Sequence, residues 1–426
     1  MKEIKALRGF KDVTPEESYR WQYVEAVIRD VTAAFGYREE RSPVIEQTEL
    51  FARGVGDSTD IVQKEMYTFT TKGDDMVTLK PEGTAGAVRQ FIEHRGYTGS
   101  QPTRMYYLNC PVFRYEKPQA GRLREHHQFG IECFGSSDPV IDAEVLLLAT
   151  TVFSRLNVTG LSLHINNIGC PNCRPQYNEA LRSYFSEHID TMCDDCKTRL
   201  ELNPLRILDC KQEGCRKIIE NAPRMSEYIC DECSDHFSAL ESYLQEIGLD
   251  YVVDERLVRG LDYYTRMVFE LISEKIGAQG TVCGGGRYDG LVEELGGPSV
   301  PGAGFGMGME RLLLQLESQG IEIPMPPPCK LYIANMGDAA KRLAWKLSST
   351  LRQNGIAAEM DSMGRSMRAQ FKYADKISAA YVLVIGESEL NENKAVLRNM
   401  ADGSERDMAL DTFVDEFSKM DENTAI

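Results

Sequence analysis

Two arginines, an aspartate, two tyrosines and a glutamate crowd into one strand-like run, Arg259-Gly-Leu-Asp-Tyr-Tyr-Thr-Arg-Met-Val-Phe-Glu270. At strand period, Leu261, Tyr263, Thr265, Met267 and Phe269 share one face. Gly260, Asp262, Tyr264, Arg266 and Glu270 share the other, with Val268 the one apolar side chain among them. Burying an unpaired polar group costs roughly 2–7 kcal/mol, and a charge costs more. Such a run therefore floors a polar pocket or faces water, and other stretches favour the pocket. A hairpin runs from Met105 to Glu116, turns at Lys117-Pro-Gln-Ala-Gly121 and returns from Arg122 to Phe134. It sets Arg114 and Glu116 on one face of its first strand and Gln128 and Glu132 on one face of its second. Gly130 between them leaves room for a ligand. The short strand Met76–Lys80 runs into Pro81-Glu-Gly-Thr84 and a helix from Ala85. That places Glu82 and Thr84 at an exposed rim, where Glu82 meets a ligand amine or complements the helix dipole.

Two glycine runs add to this. Gln279-Gly-Thr-Val-Cys-Gly-Gly-Gly-Arg-Tyr-Asp289 lets backbone approach a ligand closely. Pro301-Gly-Ala-Gly-Phe-Gly-Met-Gly-Met-Glu-Arg311 passes from a glycine-alternating strand into an apolar helix, with Arg311 at its start within reach of phosphate. Neither run is a G-x-G-x-x-G turn of a βαβ unit, and neither carries a P-loop lysine, which disfavours Rossmann and Walker sites. Eight of the twelve cysteines fall between Gly169 and Phe237, as the pairs Cys170/Cys173, Cys193/Cys196, Cys210/Cys215 and Cys230/Cys233. The spacing suits two four-thiolate zinc sites; free or redox-active thiols are the other reading, and the pairing order stays open. Arg365, Arg368, Lys372 and Lys376 recur at helical spacing, as nucleic-acid contacts or as a solvated face.

The elements that position these groups are legible in outline. The chain has 426 residues, 42% hydrophobic and 27% charged, which describes a folded protein of several domains. No apolar run is long enough for a membrane span, and the N-terminus lacks a signal-peptide core, so a cytoplasmic location is expected. A net charge of −17 argues against sequence-blind nucleic-acid binding but leaves a local basic groove open. A helix from Thr14 to Phe35 starts on Thr14 as N-cap, with Pro15 next and Glu17 completing a capping box, and Gly36 stops it. Tyr37–Ile45 reads as an edge strand bearing Pro43, at a subunit interface or facing water. A helix spans Val140–Leu156. The cysteine-rich stretch 169–245 interrupts one domain formed by 1–168 and 246–325. After the stiff linker Ile323–Lys330, strands and helices alternate over 330–426, which predicts an α/β domain with a mostly parallel sheet.

Together the motifs resemble those of the bacterial histidyl-tRNA synthetases, a family of class II aminoacyl-tRNA synthetases, over essentially the whole chain. The helix and strand up to Pro43 resemble motif 1, the hairpin from Phe113-Arg-Tyr-Glu116 to Glu132 motif 2, and Gly304-Phe-Gly-Met-Gly-Met-Glu-Arg311 motif 3. Arg259-Gly-Leu-Asp-Tyr-Tyr264 and Cys283-Gly-Gly-Gly-Arg-Tyr-Asp289 resemble the two histidine-specific motifs. The resemblance implies an α+β protein: an antiparallel catalytic sheet with flanking helices, a small cysteine-rich insertion and a C-terminal α/β anticodon-binding domain. It also implies a homodimer packed through motif 1. The activity implied is ligation of L-histidine to histidine tRNA through histidyl-adenylate, with ATP as substrate and Mg2+ assisting.

By the same resemblance, Arg114 and Arg259 grip the α-phosphate and carry the catalysis, while Arg122 and Arg311 reach the outer phosphates. Glu116 meets adenine's amino group. His126 stands where many relatives place an aromatic ring, with a charge expected to vary near neutral pH. Glu82, Thr84 and Gln128 hold the histidine α-amino group. Glu132 and Tyr264 bracket the imidazole, with Tyr263 and Tyr288 as walls. Lys117 and Gln119 approach the tRNA acceptor end, and Arg365, Arg368 and Lys372 the tRNA from the C-terminal domain. Zinc is not carried over, because many relatives lack the insertion; it rests on cysteine spacing alone. Two rival readings are a non-catalytic, histidine-sensing regulatory paralogue of histidine biosynthesis and a zinc-containing nucleic-acid-binding module. The first typically lacks the anticodon domain and the histidine-specific arginine, both present here. The second leaves the charged groups on the sheet unexplained.

Overall fold

The computed structural model describes residues 3–56, 59–119, 121–273, 280–325 and 329–422. Gln279 of the first glycine run, Ala120 of the hairpin tip and Pro326–Pro328 of the linker lie outside the described residues. The chain divides into two compact units, Met1–Ile323 and Pro324–Ile426.

The first unit begins with α1 (Pro15–Ala34), β1 (Arg38–Glu39), β2 (Ile45–Gln47), α2 (Thr48–Val55), β3 (Tyr67–Thr70), β4 (Met76–Leu79) and α3 (Thr84–Glu93). The hairpin is β5 (Thr103–Phe113) and β6 (Glu125–Phe134), followed by α4 (Pro139–Arg155) and β7 (Leu161–Asn167). The cysteine-rich stretch is helical: α5 (Arg174–Ser186), α6 (Asp194–Leu202), α7 (Glu213–Ile219) and α8 (Asp231–Glu246). Then come β8 (Val252–Val253), β9 (Thr265–Ser273), β10 (Thr281–Arg287), α9 (Leu291–Glu294), β11 (Gly302–Gly308) and α10 (Met309–Ser318). Eight strands make one sheet in the order β1-β5-β6-β11-β10-β9-β7-β8, antiparallel except for its two short edge strands, and β2-β4-β3 form a small second sheet. One face of the large sheet is apolar because every second residue is: Phe129, Ile131 and Cys133 on β6, Phe269 and Leu271 on β9, and Ala303, Phe305 and Met307 on β11. They pack with residues of α1, α4, α8 and α10 into one core, while Val268 on the opposite face joins a second core shared with the cysteine-rich stretch.

The second unit contains β12 (Leu331–Asn335), α11 (Asp338–Gln353), β13 (Ala358–Met360), α12 (Met367–Lys376), β14 (Tyr381–Ile385), α13 (Glu387–Glu392), β15 (Lys394–Asn399), β16 (Glu405–Ala409) and α14 (Phe413–Glu422). Its sheet is mixed rather than mostly parallel. Strands β13, β12 and β14 are parallel, but β15 and β16 close the edge as an antiparallel hairpin.

Several local expectations change. Thr14 is the N-cap of α1 and Pro15 its first residue, but the Thr14 hydroxyl makes no cap bond, so no capping box forms. The backbone carbonyl of Thr14 accepts from the Glu17 and Ser18 amides instead. The single strand expected over Tyr37–Ile45 is two strands in different sheets, parted around Pro43, which has no amide to donate to a ladder. The run Arg259–Glu270 is a strand only from Thr265. Arg266 at φ 52° makes a bulge there, because the pairing jumps from Gly286–Val268 to Arg287–Thr265. The strict alternation therefore fails, and Tyr263 and Tyr264 are buried together rather than on opposite faces.

Candidate active site

Residues paired directly across antiparallel strands point to the same face. On the side of the large sheet away from the core, two rows follow. One is Met105, Glu132, Gly304, Gly286 and Val268; the other is Tyr107, Gly130, Gly306, Gly284 and Glu270. Half of these positions are glycine, so the middle of the sheet is bare backbone flanked by carboxylates and aromatic rings. Side chains of the protein itself use much of the space. A Cβ on Gly304 would lie 2.5 Å from the Glu132 carboxylate, and one on Gly284 would lie 2.4 Å from the Arg259 guanidinium. A Cβ on Gly130 would lie 2.3 Å from the Tyr107 ring. The room expected for a ligand at Gly130 is thus taken by Tyr107, a residue the sequence did not single out. The signal for it was its position opposite Gly130 on the paired strand.

At one end the site is a buried cluster of polar and aromatic side chains. Glu132 is 1% exposed and accepts a hydrogen bond from the Tyr288 hydroxyl, while its Oε1 has no hydrogen-bond partner within the protein. Burial pushes the Glu132 carboxyl above the usual carboxylate range, against the hydrogen bond from Tyr288. Glu82 and Thr84 do not sit at an exposed rim. Glu82 is 3% exposed, and its carboxylate accepts the Thr84 amide at 2.9 Å and the Ala85 amide at 2.6 Å, so it caps the first turn of α3 from inside the pocket. Burial raises its pKa despite those donors. Gln128 Oε1 accepts the Gly83 amide at 3.1 Å and ties the pocket to β6. Tyr263, Tyr264 and Tyr288 form the aromatic wall, with ring centroids 4.6 Å apart between the first two and 5.6 Å between Tyr263 and Tyr288. Burial holds the phenols of Tyr107, Tyr263 and Tyr288 protonated, and hence available as donors.

The other end is cationic. Arg259 is ion-paired with Glu270, whose second oxygen accepts from the Thr281 hydroxyl at 2.7 Å. Arg114, just beyond β5, donates to the Pro81 carbonyl at 2.8 Å. Glu116 and Arg122 pair with each other, and Arg311 reaches the carbonyls of Gly121 and Thr281. Burial lowers the pKa of Arg311, and Arg122 and Arg114 push the same way. The carboxylates of Glu116 and Glu270 act in the opposite sense. His126 lies among them and differs from the expectation of a variable charge. Burial, reinforced by Arg114, pushes its pKa down to about 3, so it is neutral at physiological pH. Glu65, which faces Arg114, Glu116 and Arg122 and is pushed up by burial, and Thr281 were not predicted as site residues. Lone polar residues in loop and strand carry no spacing signal.

Arg287, in the first glycine run, is fully buried and serves the scaffold. It pairs with Asp142 at 2.9 Å and Asp289 at 3.0 Å, and Asp142 also binds His236. Lys117 and Gln119 are exposed in the hairpin turn, where Gln119 and Arg122 bridge. In the second unit, Arg368 and Lys372 are exposed on α12. Arg365 precedes that helix and does not join its stripe, because Asp361 holds it at 2.9 Å and it lies 4.4 Å over the Tyr373 ring.

The cysteines resolve into two groups, Cys170/Cys173/Cys230/Cys233 and Cys193/Cys196/Cys210/Cys215, with all sulfurs of a group within 4.8 Å of one another. None of the described cysteines is in a disulfide. Sulfur separations of 3.5, 3.8 and 4.0 Å in the first group and 3.7 Å in the second match the roughly 3.8 Å that a tetrahedral metal with bonds of about 2.3 Å requires. Either group could hold a metal ion. No helix among the described residues is long and apolar enough to cross a membrane.

Comparison with known proteins agrees with this geometry. A histidyl-tRNA synthetase family model matches residues 9–312 and an anticodon binding domain model matches residues 330–420. A histidine–tRNA ligase of Caldanaerobacter subterraneus subsp. tengcongensis is 57% identical, with 96% of this chain and 97% of that protein covered. One from Clostridium perfringens is 54% identical over the same shares. The crystal structure of apo S. aureus histidyl-tRNA synthetase superposes with a TM-score of 0.83 at 40% identity, covering 97% of this chain and 100% of that one. With a sheet face of this composition and matches that run nearly end to end, the chain belongs to the histidyl-tRNA synthetase family.

Proposed function

We propose that this site activates L-histidine with ATP and that the protein then transfers the histidyl group to histidine tRNA. The observation that carries the residue assignment is the buried Glu132 Oε1, an acceptor without a protein partner at one end of a glycine floor whose other end is lined by arginines. An imidazole N–H supplies the missing donor, and Tyr264 takes the other side of the ring, between the walls of Tyr263 and Tyr288. A hydrogen-bonding pocket discriminates strongly, because an analogue lacking the donor leaves buried groups unpaired. Glu82, Thr84 and Gln128 receive the α-ammonium group.

ATP lies along the arginines. Its α-phosphate displaces Glu270 from Arg259 and meets Arg114. The outer phosphates, accompanied by Mg2+, draw Arg122 away from Glu116 and engage Arg311, which frees Glu116 for adenine's amino group. Neutral His126 stacks on the base. The histidine carboxylate attacks the α-phosphorus, a P–O bond to pyrophosphate breaks, and histidyl-adenylate forms. Charge grows on the α-phosphate oxygens during this step, so positioned guanidinium groups supply the catalysis and no covalent nucleophile is needed. The 3′-terminal adenosine of the tRNA then attacks the activated carbonyl and AMP leaves.

The finer parts of the reading have their own support. Lys117 and Gln119 are accessible in the hairpin turn, as contacts to the acceptor end require, and Arg368 and Lys372 are exposed in the unit matched as anticodon-binding. Arg365 would reach tRNA only by leaving Asp361. Homodimerisation is supported by Ile45 (48% exposed) and Phe69 (45% exposed), apolar residues on one face of the small sheet next to Pro43. Each cysteine group holds a structural Zn2+, in keeping with its sulfur spacing, and a cytoplasmic setting fits the tRNA ligases that the chain resembles.

The test is histidine-dependent ATP–pyrophosphate exchange by wild type and Arg259→His. Exchange that needs histidine and falls about 10²–10³-fold in the variant is the expected result. A folded wild type that gives none with Mg2+ present sinks the reading and leaves the histidine-sensing paralogue.

A further inference from the structure

The turn that closes the first cysteine group is fastened to the back of the histidine pocket. Cys170 opens the turn, and its carbonyl accepts the amides of Cys173 and Arg174 at 3.0 and 3.1 Å. From there the Arg174 guanidinium reaches out of the insertion and donates to the carbonyl of Tyr264, and more weakly, at 3.4 Å, to that of Ile168. Two backbone bonds clamp the same place: Ile168 amide to Arg266 carbonyl at 2.7 Å and Arg266 amide to Gly169 carbonyl at 2.9 Å. Asn167 completes the fastening by donating to the Cys233 carbonyl at 2.9 Å. The segment so held, Arg259–Tyr264, has no strand partners of its own, because β9 begins only at Thr265. Nor is its back packed solid. A cavity of about 210 Å3 lies between it and the insertion, lined by Arg174, Asn178, Asn203, Val258, Arg259 and Asp262 and bridged where Asn203 donates to Asp262 at 2.9 Å. Where dispersion contacts are missing, discrete hydrogen bonds decide where a segment sits.

We infer that Arg174 is a positioning residue for histidine recognition, and that through it the cysteine turn Cys170–Cys173 sets the place of Tyr264 in the histidine pocket. This deepens the function proposed above and rests on it. Arg174 touches neither substrate; it acts by holding the Tyr264 carbonyl. The metal in the first cysteine group thereby becomes a condition for histidine affinity, as well as a staple for the insertion.

The experiment uses the full-length protein and separates KM for histidine from KM for ATP in pyrophosphate exchange, with zinc counted in each sample. Arg174→Ala is expected to raise the histidine KM about tenfold, the equivalent of one charged hydrogen bond. Its ATP KM stays within about twofold, because the lost bond lies behind the histidine pocket and not among the phosphate-binding arginines. Its zinc count equals that of wild type. Arg174→Lys, which keeps the charge and one line of donors, recovers part of the loss and serves as the test if the alanine variant does not fold. Stripping zinc from wild type with a chelator, then restoring Mg2+, is expected to raise the histidine KM at least as far, and Zn2+ alone reverses it. An unchanged histidine KM in folded, zinc-loaded Arg174→Ala, or in Arg174→Lys where the alanine variant does not fold, overturns the positioning role. Wild-type protein that is active but carries no zinc overturns the metal's part in it. A wild type without any histidine-dependent exchange would instead be the failure of the underlying function.

Discussion

Glu132 and His126 are both desolvated by the fold, and the consequence is opposite in sense for the two: a carboxyl is pushed up, an imidazole down. For His126 the sign gives a pH window. The folded protein refuses a proton there until about pH 3, whereas the unfolded chain takes it up near the ordinary value of 6.5. Stability from this residue is therefore whole above pH 6.5 and is lost as pH falls toward 3. His126→Phe should flatten that part of a plot of denaturation midpoint against pH, and the wild-type His126 imidazole should show no NMR titration between pH 5 and 8. A titration near 6.5 would mean that the ring is not desolvated and that its charge varies near neutral pH. At this scale the sequence pointed to Glu132 and His126 but not to Tyr107, Glu65 or Thr281, and it could not show their electrical state, because burial is a property of neighbours far away in the chain. Glu82 looked like a rim acid for the same reason: β4 and α3 are local, but the wall that covers Glu82 includes Tyr107 and Tyr263.

Among elements, β6 and β11 were the most legible. Glycine alternating with Ala303, Phe305 and Met307 can only be a strand with a bare face and an apolar one. What period-two reading could not see were breaks in the period, at Arg266 (φ 52°) and at Asn109 (φ 54°), where the β5–β6 register also shifts. The bare face makes a firm demand. Gly130→Ala should lower stability by about 1–3 kcal/mol, because the new methyl meets the Tyr107 ring and an overpacked site must strain or shift. In a Tyr107→Ala background the same change should cost almost nothing, giving a coupling energy that urea midpoints can read. Additive effects would mean that the ring is not what closes the space at Gly130.

At the scale of the whole molecule, each unit has its own core. Leu331, Ile333, Leu383, Ile385 and Leu397 pack under α11 and α14 in the second unit. Residues 324–426 should therefore fold alone and melt in a transition of their own, followed by circular dichroism. Residues 1–323 should keep pyrophosphate exchange while tRNA charging loses about a hundredfold in kcat/KM, since the second tRNA contact is no longer tethered. Loss of exchange in the shorter protein would mean that the site depends on the second unit. The proline-rich run marked this change of unit in sequence. The pairing inside the cysteine-rich stretch could not be read there, because Cys170 meets Cys230 only once α5 to α8 have folded back on themselves.

The contrast between the enclosed Arg259–Glu270 pair and the exposed Lys117, Arg368 and Lys372 has a consequence for ionic strength. Mobile ions screen charges they can surround and reach an enclosed pair poorly, whereas contacts to a polyanion weaken steeply as salt is added. Adding potassium chloride should thus separate the two half-reactions, leaving adenylate formation running while transfer to tRNA fades.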